Sequence, residues 1–177
     1  MRQFSSYGPI DTDVHYYSPR DELIQKAITQ LIGHNPEKNG HYITKWALRQ
    51  TGKTWIMQQA VRQIKKNDMF EVGFISLQSA KTQKSDKGVL RIFIKKLKQC
   101  LKIDLPEVQE WDELSDILSQ NYLNKPLILI IDEFDAIDEN FINKFANEFR
   151  DMHISRQNEV DTKSQDKFCL LHGLALI

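Results

Sequence analysis

The sequence has little of what marks several protein classes. It holds only two cysteines, Cys100 and Cys169, each within an apolar stretch. Two such residues supply neither a disulfide framework nor a zinc site, and they suit a reducing compartment. No apolar run approaches the ~20 residues of a membrane-spanning helix, and Met1 to Tyr7 contain no apolar signal core. A cytoplasmic chain without a membrane contact is therefore expected. Twenty-four basic residues balance twenty-four acidic ones, so no global field gathers nucleic acid or lipid. Any polyanion site must be local. His41, His153 and His172 lack metal-ligand spacing and are read as structural. There is no internal repeat or low-complexity tract.

The 177 residues suffice for one domain with a substantial core. Residues 1–17, rich in Tyr, Asp and Pro, read as an irregular N-terminal arm, and residues 18–177 as the domain. Ser18, Pro19 and Asp21 carry a helix-start signal, with Ser18 as cap, and an apolar stripe follows from Leu23 to Ile32. His41 to Trp46 predict a short strand, Gly52 to about Lys66 a helix, and Phe70 to Leu77 a second strand. Helices are expected over 87–102 and 111–123. Pro126 to Ile131 read as a third strand, aliphatic enough to be covered on both faces. Phe141 to Met152 form a further helical stripe, residues 155–167 read as a long loop, and Phe168 to Ile177 as a fourth strand. Strands alternating with helices predict a parallel sheet in a three-layer α/β/α sandwich.

Two segments carry chemistry. Ala47-Leu48-Arg49-Gln50-Thr51-Gly52-Lys53-Thr54 stands between a predicted strand and a predicted helix. It ends like the phosphate-loop pattern G-x-x-x-x-G-K-[ST], with Ala47 in place of the first glycine. In such a loop the backbone amides form a concave anion site, and the following helix adds its positive end. Gly52 lets the main chain approach a phosphate, Lys53 supplies a point charge to the β- and γ-phosphates, and the Thr54 hydroxyl suits Mg²⁺. The second segment, Leu127 to Asp135, is an aliphatic run ending in Asp132 and Glu133. A parallel strand presents such carboxylates at its C-terminal edge, where open α/β sheets bind ligands. Asp132 is the expected Mg²⁺ partner, directly or through water. Glu133, on the opposite side of the strand, is the expected base for an attacking water. Asp135 and Asp138 are read as capping or surface residues. Trp46 and Trp55, beside the loop, are read as packing residues.

These residues resemble the AAA-like P-loop ATPases, near the origin-recognition and STAND branches. The likeness rests on Tyr7-Gly8-Pro9, His15 to Arg20, Arg49 to Thr54, Ile130 to Asp135 and Leu171 to Ile177. The resemblance implies ATP and Mg²⁺ as cofactors, a sheet ordered 5-1-4-3-2, and Tyr17 and Arg20 near the adenine. It also implies a polar sensor, a fifth strand and a helical lid beyond Ile177, so that the first strand is expected as an edge and the domain as partial. Mg-dependent ATP hydrolysis is the expected activity, with a protein partner or self-association possible. A non-catalytic nucleotide switch is the alternative. A nucleic-acid-associated protein is another, because Lys81, Lys84, Lys87, Arg91, Lys95, Lys96, Lys98 and Lys102 crowd one segment with Asp86 as its only acid. The ordinary explanation of that run is a solvated helix face.

Overall fold

The computed structural model describes residues 3–4, 13–16, 18–45 and 51–177. The elements are α1 (Asp21–Ile32), β1 (Tyr42–Thr44), α2 (Lys53–Ile64), β2 (Glu71–Ser76), α3 (Asp86–Leu101), α4 (Glu113–Ile117), β3 (Leu127–Asp132), α5 (Glu139–Asn158) and β4 (Leu171–Leu176). The strands form one parallel sheet in the order β1-β4-β3-β2. That is the relative order the resemblance implies for these four strands. Trp46 and the loop residues Ala47 to Gln50, together with Tyr17 and most of the arm, lie outside the described residues.

The layering follows from alternation along β3. Leu127, Leu129 and Ile131 enter a core built with α3, α4 and α5. Ile128 and Ile130 enter a second core built with α1 and α2. Successive strand residues point to opposite faces, so a strand buried on both sides must be aliphatic throughout. On the larger core, Phe145 of α5 is fully buried. It packs against Phe93, Trp111, Phe134 and Phe149 with ring centroids 4.7–5.8 Å apart. On the other side Gly173 lets the end of α1 sit against β4, because a Cβ there would collide with the Leu31 carbonyl.

Three sequence expectations are corrected. Helix α1 starts at Asp21 with Arg20 at its N-cap and no side-chain cap bond, so neither Ser18 nor Pro19 takes the place expected of it. Helix α4 covers Glu113–Ile117 rather than 111–123. Beyond it the Ser119 hydroxyl donates to the Asp116 carbonyl, and Asn121 donates to both Ser119 and Asp116. Leu118 and Gln120 then exchange backbone bonds with residues 168–170. Local side-chain bonds and a strand-like neighbour outcompete the helix there. Finally, α5 runs to Asn158, so 155–158 are not loop. Its buried stripe Phe141, Phe145, Phe149, Met152 ends in Arg156, a charged residue that breaks the apolar pattern without breaking the period.

Arg156 is buried with both terminal nitrogens of its guanidinium engaged, while its Nε has no partner among the described residues. It donates to the Cys169 carbonyl, to Ser164 Oγ at 2.7 Å and to the Lys38 carbonyl at 3.4 Å, pinning two loops to α5. His172 lies in the same network. Its Nε2 is 2.9 Å from the Ile32 carbonyl, which can only accept, so Nε2 carries the proton. Nδ1 then accepts from the Ser164 hydroxyl at 2.7 Å. Burial, with Arg156, Lys167 and His41 nearby, lowers the His172 pKa from 6.5 to about 4.

The folded chain therefore keeps His172 neutral where the unfolded chain takes up a proton. Stability from this site is complete above about pH 6.5 and falls with acid towards about pH 4. The loss reaches roughly 3 kcal/mol. Urea unfolding at a series of pH values should show a steeper acid loss for the native chain than for His172→Gln. Equal slopes would contradict the assignment.

Candidate functional site

The C-terminal edge of the sheet gathers the residues singled out by sequence. Helix α2 begins at Lys53, with Gly52 as N-cap in the left-handed region (φ 80°, ψ 23°). Glycine adopts that conformation without the strain an L-side chain brings. No side chain caps α2, and its first turn holds no acid. By contrast α1, α3 and α5 each carry an acid there, and Ser85 and Asp138 cap the last two. Among the described residues, no side chain takes up the first amides of α2 and no first-turn acid offsets its positive end. Lys53, half-buried at this end, has no ion pair among the described residues.

Asp132 is the last residue of β3, in register with Ser76 of β2. The Thr54 hydroxyl donates to its Oδ1 at 3.3 Å, although 78 residues separate the two in sequence. The Glu133 amide donates to the same oxygen at 3.1 Å. Burial raises the Asp132 pKa above the ordinary carboxylate value, while these two bonds and the Lys53 charge pull it back and Asp135 adds to the rise. An octahedral Mg²⁺ holds neighbouring ligands about 3 Å apart, so the Thr54–Asp132 oxygen spacing fits two adjacent positions on such an ion. Among the described residues no group of three His, Cys, Asp or Glu side chains could cage a metal. A magnesium ion bound with a nucleotide takes its remaining ligands from phosphate and water.

Glu133 is not on the strand, contrary to expectation. It follows the end of β3 in a left-handed turn (φ 55°, ψ 38°) and is exposed, so strand alternation does not set its direction. Left-handed backbone at a residue other than glycine is uncommon and clusters at functional sites. Asp138 caps α5 by accepting from the Asn140 amide at 3.0 Å, and Asp135 is exposed, both as read from sequence. Thr51, Gly52, Lys53, Thr54, Asp132 and Glu133 are thus together. Ala47, Leu48, Arg49 and Gln50 fall outside the described residues.

Two further cations join the site: Arg20, which the resemblance implies near the adenine, and Lys45, which no motif supplied. The Arg20 guanidinium donates to the Thr51 carbonyl, and its tip lies 3.4 Å from where a Gly52 Cβ would be. Lys45 follows β1 and donates its amide to the Leu176 carbonyl. Burial lowers its pKa, and the Arg20 charge lowers it further. Arg20, Lys45 and Lys53 thus lie around the start of α2, and none is ion-paired to a described acid. Lys45 was legible only as the last residue but one before the loop. Two hollows in the structure lie elsewhere. One, of about 90 Å³, is bordered by Phe70 and Pro126 at the opposite edge of the sheet, and the other, of about 470 Å³, by Lys26, His34 and His41.

The chain matches no family model, no curated protein and no solved structure.

Replacing Gly52 by alanine should lower stability by about 1 kcal/mol, because the left-handed N-cap strains any L-residue. Urea unfolding of Gly52→Ala tests this, and an unchanged midpoint would contradict it.

Proposed function

We propose that this chain is an ATP-binding module of the P-loop ATPase type, AAA-like in its motifs, that hydrolyses the β–γ bond. The observation carrying this reading is the Thr54–Asp132 contact. It joins a Gly-Lys-Thr helix start to an acidic strand end, at the edge where open parallel sheets bind ligands. Neither tripeptide nor strand end is specific alone, whereas the pair in contact is what a Mg-nucleotide requires.

In this reading the α2 amides and Lys53 grip the β- and γ-phosphates. Thr54 and Asp132 hold Mg²⁺, which when bound draws charge from the phosphate oxygens. Glu133 orients the attacking water and takes its proton as the γ-phosphoryl group leaves ADP. Burial around Asp132 strengthens each of these electrostatic contacts over its value in water. A cytoplasmic location, reducing and rich in ATP, suits two cysteines left free.

One observation favours a second reading, a nucleotide-dependent switch without efficient hydrolysis. Glu133 is exposed in a left-handed turn, and no described side chain anchors its carboxylate.

Titration calorimetry with Mg-ATP should give binding that Lys53→Ala weakens at least tenfold. Failure of the native chain to bind would overturn the proposal. Glu133→Gln should retain binding and lose phosphate release by about a hundredfold or more. Retained release would remove Glu133 from the mechanism, and no release from either protein would select the switch.

A further inference from the structure

Helix α3 lies along β2, the edge strand at the other end of the sheet from β1. Its inner side is wholly engaged: Gly88, Val89, Leu90, Phe93, Ile94, Leu97 and Leu101 are buried. Its outer side carries Lys87, Arg91 and Lys95, all exposed, and the exposed Lys102 closes its C-terminal end in left-handed backbone. Two steps of four residues keep the three helical cations within an arc of about 80°. They run about 12 Å along the helix axis. Lys84, also exposed, precedes the N-cap Ser85.

The nearby acids are occupied. Asp86 pairs with Lys144 of α5 at 2.7 Å, turned away from the row, and Asp104 pairs with Lys98 at 3.3 Å. Lys84, Lys87, Arg91, Lys95 and Lys102 have no acidic partner among the described residues. In a chain of zero net charge this is a segregated, one-sign ridge. Like charges four apart on a helix repel, so a ridge of this kind opposes its own helix slightly until an anion covers it.

We propose that the outer face of α3 binds the phosphate backbone of a nucleic acid. The ligand class follows from shape and charge. The three helical cations, repeating about every 6 Å along the axis, complement a regular, linear polyanion. A membrane surface fits less well, since every large apolar side chain of α3 except Ile92 is buried and Ile92 is half-buried, leaving nothing to insert among lipid tails. A folded acidic protein would need its carboxylates in the same straight row. The contact is with phosphates alone, so it is independent of base sequence.

The test is fluorescence anisotropy of the intact chain with a labelled mixed-sequence DNA duplex over a series of KCl concentrations. Four to five phosphate contacts give a slope of log K against log salt of about −4. Lys87→Gln/Arg91→Gln and, separately, Lys95→Gln/Lys102→Gln should each flatten the slope by about 2, with helical circular dichroism and Mg-ATP titration unchanged. Absence of binding, a slope near zero, or two variants with the native slope would overturn the proposal. So would tighter binding to vesicles rich in anionic lipid than to DNA at the same salt. Because the variants lie outside the nucleotide site, failure here leaves the ATP reading untouched, and loss of ATP binding by Lys53→Ala leaves this one untouched.

Discussion

The structure depends on β3 being buried on both faces. Each aliphatic residue from Leu127 to Ile131 is fully buried, and they alternate between the two cores. Complete burial of such a side chain contributes roughly 1.5–3 kcal/mol, so the strand as a whole contributes on the order of 10 kcal/mol. The Thr54–Asp132 hydrogen bond contributes about 1 kcal/mol. The core therefore places Asp132 at the sheet edge, and the bond only adjusts it. The same reasoning holds for α2, whose buried Ile56, Met57, Ala60, Val61 and Ile64 fix where Lys53 and Thr54 emerge.

The site is a departure from the local rules that the rest of the chain follows. Helices α1, α3, α4 and α5 begin with acids, while α2 begins with a lysine and an uncapped turn. Arg20 and Lys45 add charge of the same sign, and Asp132 sits where burial disfavours its charged form. Gly52 and Glu133 both take left-handed backbone there. Conflicts of this kind concentrate where a sequence serves a ligand rather than its own stability. The α3 ridge is a milder case: its inner face follows packing rules, and only the outer face concentrates one sign of charge.

Much of this was legible beforehand for plain reasons. The β3 run is too aliphatic for a half-exposed strand, and the α2 and α3 stripes keep helical period without interruption. The parallel sheet and two-sided cores follow from them. What was not legible depends on contacts distant in sequence. Ser119 and Asn121 end α4 early because a strand-like partner at 168–170 is available. Arg156 falls in a stretch that reads as polar loop, and only the segments around Lys38, Ser164 and Cys169 give it a place on α5. Lys45 carries no motif, and only the fold brings Arg20 against Thr51. Glu133 was assigned a direction from strand alternation, but the strand ends one residue too soon.

The central claim is that Thr54 and Asp132 act on the same cation. A double-mutant cycle on Mn-ATP affinity, using Thr54→Val, Asp132→Asn and the pair, measures it directly. Shared ligation predicts strong non-additivity, the double variant binding little worse than the weaker single one. Losses that simply add would show that the two side chains act separately, and would contradict the account.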